Sequence, residues 1–171
     1  MNEYLIVSDT HGADNSLISL VYDHPHAKAL IFLGDGMSDL ACVKLFRPSL
    51  TFYAVKGNCD WCGDLYHGIY CPAEQVITLE GHKIFLSHGH MLGVKSSTDY
   101  LLRHALSEGA EAAFFGHTHI PLDIYDRASE DGPLCHLFNP GSLGRPDRGG
   151  PSFGILQIDP RHGLVLSHGH L

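Results

Sequence analysis

The sequence is short of positive charge. Its 171 residues carry 11 Lys and Arg against 19 Asp and Glu, a formal net charge of −8 with histidine neutral. Phosphate backbones and anionic lipid surfaces are held by clustered cations, so this balance argues against bulk nucleic-acid or membrane-surface binding, though not against a small local phosphate site. No apolar run reaches the roughly 20 residues of a bilayer span. Met1-Asn2-Glu3-Tyr4 has neither the basic lead nor the apolar stretch of a secretory leader. Cysteine is scarce too: Cys42, Cys59, Cys62, Cys71 and Cys135 are odd in number and irregular in spacing, as expected of reduced thiols. These absences predict a soluble cytoplasmic protein. The length suits one domain over residues 1–171, without a linker, and 44% hydrophobic content is enough for a core.

What the chain has in excess is histidine, 14 in all, and a repeated arrangement of polar residues after apolar runs. Ala29-Leu30-Ile31-Phe32-Leu33 reads as a buried strand that delivers Asp35, between Gly34 and Gly36, at its carboxyl end. Tyr4–Val7 precedes Asp9 and His11 in the same way. Thr51–Val55 precedes Asn58, Lys83–Leu86 precedes His88, and Ala112–Phe115 precedes His117 and His119. Taken singly, Asp-x-His, Gly-Asp and Gly-Asn are ordinary turn chemistry. Five strand ends that each carry a hard or borderline metal ligand are not, and they predict a two-metal hydrolytic site with Asp35 as the bridge.

The elements between these runs fix the expected layers. Ser16–Tyr22 and Asp39–Phe46 have helical spacing, giving a βαβαβ order and a parallel sheet whose functional loops lie at the strands' carboxyl ends. Residues 61–73 read as a long irregular loop. Gln75–Leu79 and Lys83–Leu86 flank Glu80-Gly81-His82 as a hairpin. Thr98–Ser107 is a helix, and beyond Pro121 come only short strands, over 122–125, 134–138, 153–158 and 164–166. The predicted architecture is α/β: two mixed β-sheets packed as a sandwich flanked by helices, the second layer mostly antiparallel.

Other candidates are weaker. Ser167-His168-Gly169-His170 repeats Ser87-His88-Gly89-His90 letter for letter, but at the end of the chain, where fraying is the default. His24, His26, His67, His82, His104, His136 and His162 are expected to be solvated or hydrogen-bonded. Cys59-Asp60-Trp61-Cys62 has redox or zinc-knuckle spacing but enters a Gly-containing loop instead of opening a helix, and no second C-x-x-C exists.

The blocks Asp9-Thr10-His11, Gly34-Asp35, Gly57-Asn58-Cys59-Asp60, His88-Gly89-His90, Gly116-His117-Thr118-His119 and Asn139-Pro140-Gly141-Ser142 resemble, in order and spacing, those of the calcineurin-like metallophosphoesterases. The likeness is to the small single-domain phosphodiesterases of bacteria and archaea. It implies a four-layer metallo-dependent phosphatase-like fold and two divalent ions. One ion would be held by Asp9, His11, Asp35 and His119, the other by Asp35, Asn58, His88 and His117. Carboxylate, amide and imidazole donors suit Mn²⁺ first, with Ni²⁺, Fe²⁺ or Zn²⁺ as alternatives, better than Ca²⁺. Two such ions roughly 3.5–4 Å apart can share a hydroxide and clamp phosphoryl oxygens.

The resemblance further implies a small phosphoester substrate, contacted by Asn58, Cys59 and His90, and a catalytic group of Asp35, Cys59 and His90. Many members of the wider superfamily have histidine where Cys59 stands, and a thiol is a poorer proton donor to a leaving group, but the small phosphodiesterases that the chain resembles tend to carry cysteine here. Arg145 and Arg148 could meet a second phosphate, and Asn139-Pro140-Gly141-Ser142 could support His119. Relatives often form homo-oligomers. The competing function is a metal-binding interaction scaffold, as in the retromer subunit of the same fold, which has lost part of the histidine set. Here every ligand position is intact.

Overall fold

Strand β1 (Asn2–Val7) is apolar on both faces, Tyr4 and Ile6 turning to one side and Leu5 and Val7 to the other. A strand of this kind has to lie between two layers. The computed structural model describes residues 2–171 and shows how both layers are supplied. Helix α1 (Asp14–Asp23) returns the chain to β2 (Ala29–Phe32), and α2 (Met37–Phe46) to β3 (Thr51–Ala54), with all three strands parallel. A small hairpin, β4 (Leu65–Tyr66) and β5 (Ile69–Tyr70), precedes the hairpin β6 (Glu74–Leu79) and β7 (His82–Ser87). Then come α3 (Asp99–Ser107), β8 (Ala112–Phe114), β9 (Leu122–Arg127), β10 (Leu134–Asn139), β11 (Ser152–Asp159) and β12 (Gly163–His170).

Two five-stranded sheets result, ordered β12-β11-β1-β2-β3 and β6-β7-β8-β10-β9. Leu17, Leu20, Leu40 and Val43 of α1 and α2 cover the outer face of the first sheet against Leu5, Leu30 and Phe32. Between the sheets, Ile6, Ile31 and Leu33 meet Leu86, Phe114 and Phe138. Leu101, Leu102 and Ala105 of α3 cover the second sheet over Phe85, Ala113 and Leu137. This is the expected helix–sheet–sheet–helix sandwich. Among the described residues no helix is long and apolar enough to cross a membrane.

The structure corrects the sequence reading at several points. The stretch 61–73 is not irregular throughout, since His67 (φ 48°) and Gly68 (φ 73°) form the two-residue turn of the β4–β5 hairpin, with Ile69 and Cys71 facing inward at strand period. The second sheet is less antiparallel than expected: α3 acts as a further crossover, making β7 parallel to β8, and β8 is in turn parallel to β10. Nor does the chain end fray. β12 pairs with β11 along its whole length, His168 Nε2 lies 2.7 Å from the Asn139 carbonyl, and its ring stacks on Phe138 at 4.6 Å. The hairpin at Glu80-Gly81 is as predicted, both residues having positive φ.

Phe138 joins the central core to the C-terminal strand, so Phe138→Ala should lower unfolding free energy by about 3–5 kcal/mol. Urea denaturation checks the magnitude, and a loss below 1 kcal/mol (roughly one buried methylene) would contradict this packing.

Candidate metal centre

The loops after β1, β2, β3, β7 and β8 meet at one edge of the sandwich, and their backbone is held in an unusual conformation. Asp9 (φ 54°), His11 (φ 44°), Asp35 (φ 60°), His117 (φ 66°) and His119 (φ 57°) all lie in the left-handed region. Among the described residues only His67 and Glu80, both in hairpin turns, are other non-glycine examples. Each such residue costs on the order of 1–2 kcal/mol, a strain that concentrates at functional sites. Glycines make the convergence possible. A Cβ on Gly57 would enter the Asp35 carboxylate, and one on Gly116 would enter the Ser8 hydroxyl.

The side chains so aimed face one another. Asp9, Asp35 and His88 are buried. Asp9 Oδ2 accepts from Ser8 Oγ and from the His117 N–H at 3.0 Å. Its Oδ1 has no hydrogen bond, yet lies 3.1 Å from His119 Nε2, 3.8 Å from His11 Nε2 and 3.9 Å from His88 Nε2. Asp35 Oδ1 accepts from the Cys59 N–H at 2.7 Å, and Oδ2 stands 3.4 Å from His88 Nε2 and 3.8 Å from His11 Nε2. His11 Nε2 and His119 Nε2 are 3.4 Å apart, two ring nitrogens aimed at the same space. The His88 Nδ1–H donates to the Leu33 carbonyl at 2.6 Å, which leaves Nε2 as a lone-pair donor 3.2 Å from Asn58 Oδ1.

The remaining predicted residues stand around this centre. The His117 ring lies 5.1 Å from that of His88, and the His90 ring 5.4 Å from His88 and 6.1 Å from His117. Cys59 is exposed at the rim, where its Sγ accepts from Asn58 Nδ2. Arg145 and Arg148 are exposed in the loop before β11, and His168 is outside the site altogether. Of the histidines set aside, His24, His82, His104, His136 and His162 each pair with a carboxylate at 2.6–3.1 Å.

Burial pushes the Asp35 carboxyl up, but His88 and the Cys59 N–H outweigh it and hold it well below the usual carboxylate range. Burial disfavours a charged His88, yet Asp35 and Asp9 raise it above an ordinary imidazole. His119 is raised by Asp9. His117 is depressed to about 4 by burial and by the charge of His88, and His90 is lowered for the same two reasons. Cys59 is pushed up to about 11, by burial first and then by Asp35, and so remains a thiol at neutral pH.

Two essential supports carried no assigned role in the sequence reading. Asp60 accepts four N–H groups, from Asp35 and Gly57 on Oδ2 and from Gly36 and Met37 on Oδ1, all at 2.7–2.9 Å. It thereby clamps the β2 loop to the β3 loop. Buried Asp39 does the same for the β1 loop, accepting from the Thr10 hydroxyl and the Gly12 N–H. The only signal in sequence was their place one residue after Cys59 and in the first turn of α2. Asn139 donates to the Gly116 carbonyl at 2.9 Å and to the Thr118 hydroxyl at 3.0 Å, while Ser142 Oγ donates to the Asp9 carbonyl at 2.7 Å.

An orphaned buried carboxylate oxygen ringed by imidazole nitrogens fits a divalent cation, and the oxygen and nitrogen donors suit borderline ions. A sandwich of this layering with such a centre at its strand ends defines a metallophosphoesterase. The chain belongs to the calcineurin-like phosphoesterase superfamily, whose domain profile matches residues 3–161. It is 34% identical over 157 residues to the probable metallophosphoesterase YsnB of Bacillus subtilis, covering 91% of this chain and 83% of that one. It is 31% identical over 187 aligned residues to phosphodiesterase YfcE of Escherichia coli K12, covering 98% and 94%. Among solved structures, Zn²⁺-complexed Vps29 of Entamoeba histolytica superposes with a TM-score of 0.71 at 18% identity, over 98% of both chains.

Because Asp60 is the shared acceptor of four N–H groups, Asp60→Ala should lower stability by about 2–4 kcal/mol. Thermal unfolding beside Asp60→Asn checks this, with the amide losing less because one oxygen is kept.

Proposed function

We propose that the protein is a dinuclear metal-dependent phosphodiesterase, one domain acting on a small phosphoester. The observation that carries this reading is the unpartnered Asp9 Oδ1 facing His11, His88 and His119. Asp9, His11, Asp35 and His119 would hold one ion and Asp35, Asn58, His88 and His117 the other. Bound there, two divalent ions supply positive charge for the phosphoryl oxygens and an activated water.

The chain's own groups do the rest. Asp9 and Asp35 bring negative charge that the low local pKa of Asp35 keeps in place at neutral pH. The Leu33 carbonyl fixes the tautomer of His88. His90 is held neutral beside the centre, and its ring can donate a hydrogen bond or pass a proton at the substrate's leaving side. Without an ion, burial and the Asp35 carboxylate push the Cys59 thiol up to about 11, and a thiol is in any case a poorer proton donor to a leaving group than an imidazolium. The reading therefore favours esters whose leaving group departs without protonation, and diesters over monoesters of simple alcohols.

The deciding assay compares bis-p-nitrophenyl phosphate with p-nitrophenyl phosphate, using metal-stripped protein to which Mn²⁺, Ni²⁺, Zn²⁺ or Mg²⁺ is added back. Diester cleavage should require the ion and fall at least about 10²-fold in Asp35→Asn, a loss on the scale of one charge-stabilising group. Bound metal without turnover would move the scaffold reading forward.

Metal affinity should also fall as pH drops. Raised pKa values mean that His88 and His119 take up protons earlier than free imidazoles, and each protonated ring excludes the ion. Calorimetry between about pH 8 and pH 6 should show affinity decreasing with proton release on binding. Affinity independent of pH would remove these imidazoles from the ligand set.

A further inference from the structure

Trp61 is the only tryptophan of the chain and is 96% exposed, three residues after Asn58. A tryptophan buries about 150–250 Å² when it packs, so one left in solvent beside a catalytic loop is an unused contact surface. It stands in a groove of about 380 Å³ with Lys56, Gly57, Asp60, His90 and Met91. Gly57 and Asp60 support the Asp35 loop and the His90 ring stands 5.4 Å from that of His88, so the groove adjoins the centre although no ligand of the proposed ions lines it. Met91, 67% exposed, is a second apolar and adaptable contact.

Charge in the groove is already used. Lys56 pairs with Asp64 at 2.7 Å, and Asp60 is saturated by four backbone N–H groups. The single cation of its wall among the described residues, Lys56, is already paired with Asp64. A flat, neutral, polarisable group fits the wall better.

We propose that Trp61 stacks a planar aromatic group of the phosphoester, of nucleobase or simple aryl type, while its phosphate lies at the metal centre. This rests on the phosphodiesterase reading for the position of the phosphate. It adds the substrate class: phosphoesters that carry a flat aromatic ring on one ester arm. Met91 faces the same space as the other lip of the groove.

Being the sole tryptophan, Trp61 reports its own contacts by fluorescence, without turnover. With Zn²⁺-loaded protein, adenosine 5′-monophosphate or phenyl phosphate should quench Trp61 saturably, and ribose 5-phosphate should quench several-fold less. Stronger quenching by the adenosine ester assigns the nucleobase class, and by phenyl phosphate the aryl class. In turnover of thymidine 5′-p-nitrophenyl phosphate, Trp61→Ala should raise KM about tenfold with kcat little changed, and Trp61→Phe should restore most of the loss. Equal quenching by all three ligands, no quenching, or an unchanged KM would overturn the proposal. So would a changed sedimentation of Trp61→Ala without ligand quenching, which assigns the ring to contact between copies. Failure of the bis-p-nitrophenyl assay strikes the centre, whereas failure of the fluorescence titration strikes only the groove.

Discussion

The structure depends on placing two buried carboxylates, Asp9 and Asp35, among imidazoles that cannot all hydrogen-bond to them. Charged oxygen removed from water has to be compensated, and here the protein supplies only part of the compensation. Ser8 and the His117 N–H satisfy Asp9 Oδ2, and the Cys59 N–H satisfies Asp35 Oδ1. The inward oxygens are left facing ring nitrogens at 3.1–3.9 Å. Such a centre is poised for positive charge, because its own protons are a poor substitute: His117 and His90 are driven neutral while His88 and His119 are driven the other way.

Holding that arrangement takes a rigid frame. Five left-handed residues would relax if their loops were free, so the loops are tied crosswise. Asp60 binds the second loop to the third, Asp39 binds the first loop to α2, and Ser142 binds the β10–β11 loop back to Asp9. Beneath them lie three apolar layers, and the central strands β1, β2, β8 and β10 are buried on both faces. Strain at the rim is thus supported by packing that does not bend with it.

Much of this was legible from residue order alone. Apolar runs ending in Asp, His or Asn gave the strands and the inward-facing donors, because strand period and strand-end placement are local properties. What was not legible depends on partners far apart in sequence. The tie from Asp60 spans about 24 residues to the β2 loop and uses backbone N–H groups, which every sequence has. His168 was expected in a frayed chain end and is a packing residue, because β12 finds β11 and carries the ring onto Phe138. The β4–β5 hairpin was hidden by a His-Gly turn where Asn-Gly would have announced it.

The loop after β3 serves both the centre and the groove beside it. Gly57 and Asp60 point inward, one admitting the Asp35 carboxylate and the other gathering four N–H groups. Asn58 and Cys59 are exposed but turn toward the centre, Asn58 Oδ1 lying 3.2 Å from His88 Nε2 and the Cys59 thiol lying within 4.8 Å of His11 and Asp35, whereas exposed Trp61 stands beyond them. A change at Gly57, Asp60 or Cys59 touches the Asp35 carboxylate or the loop that carries it, whereas a change at Trp61 meets no residue of the centre. One short loop thus carries both a support of the strained backbone, Asp60, and the exposed ring of Trp61.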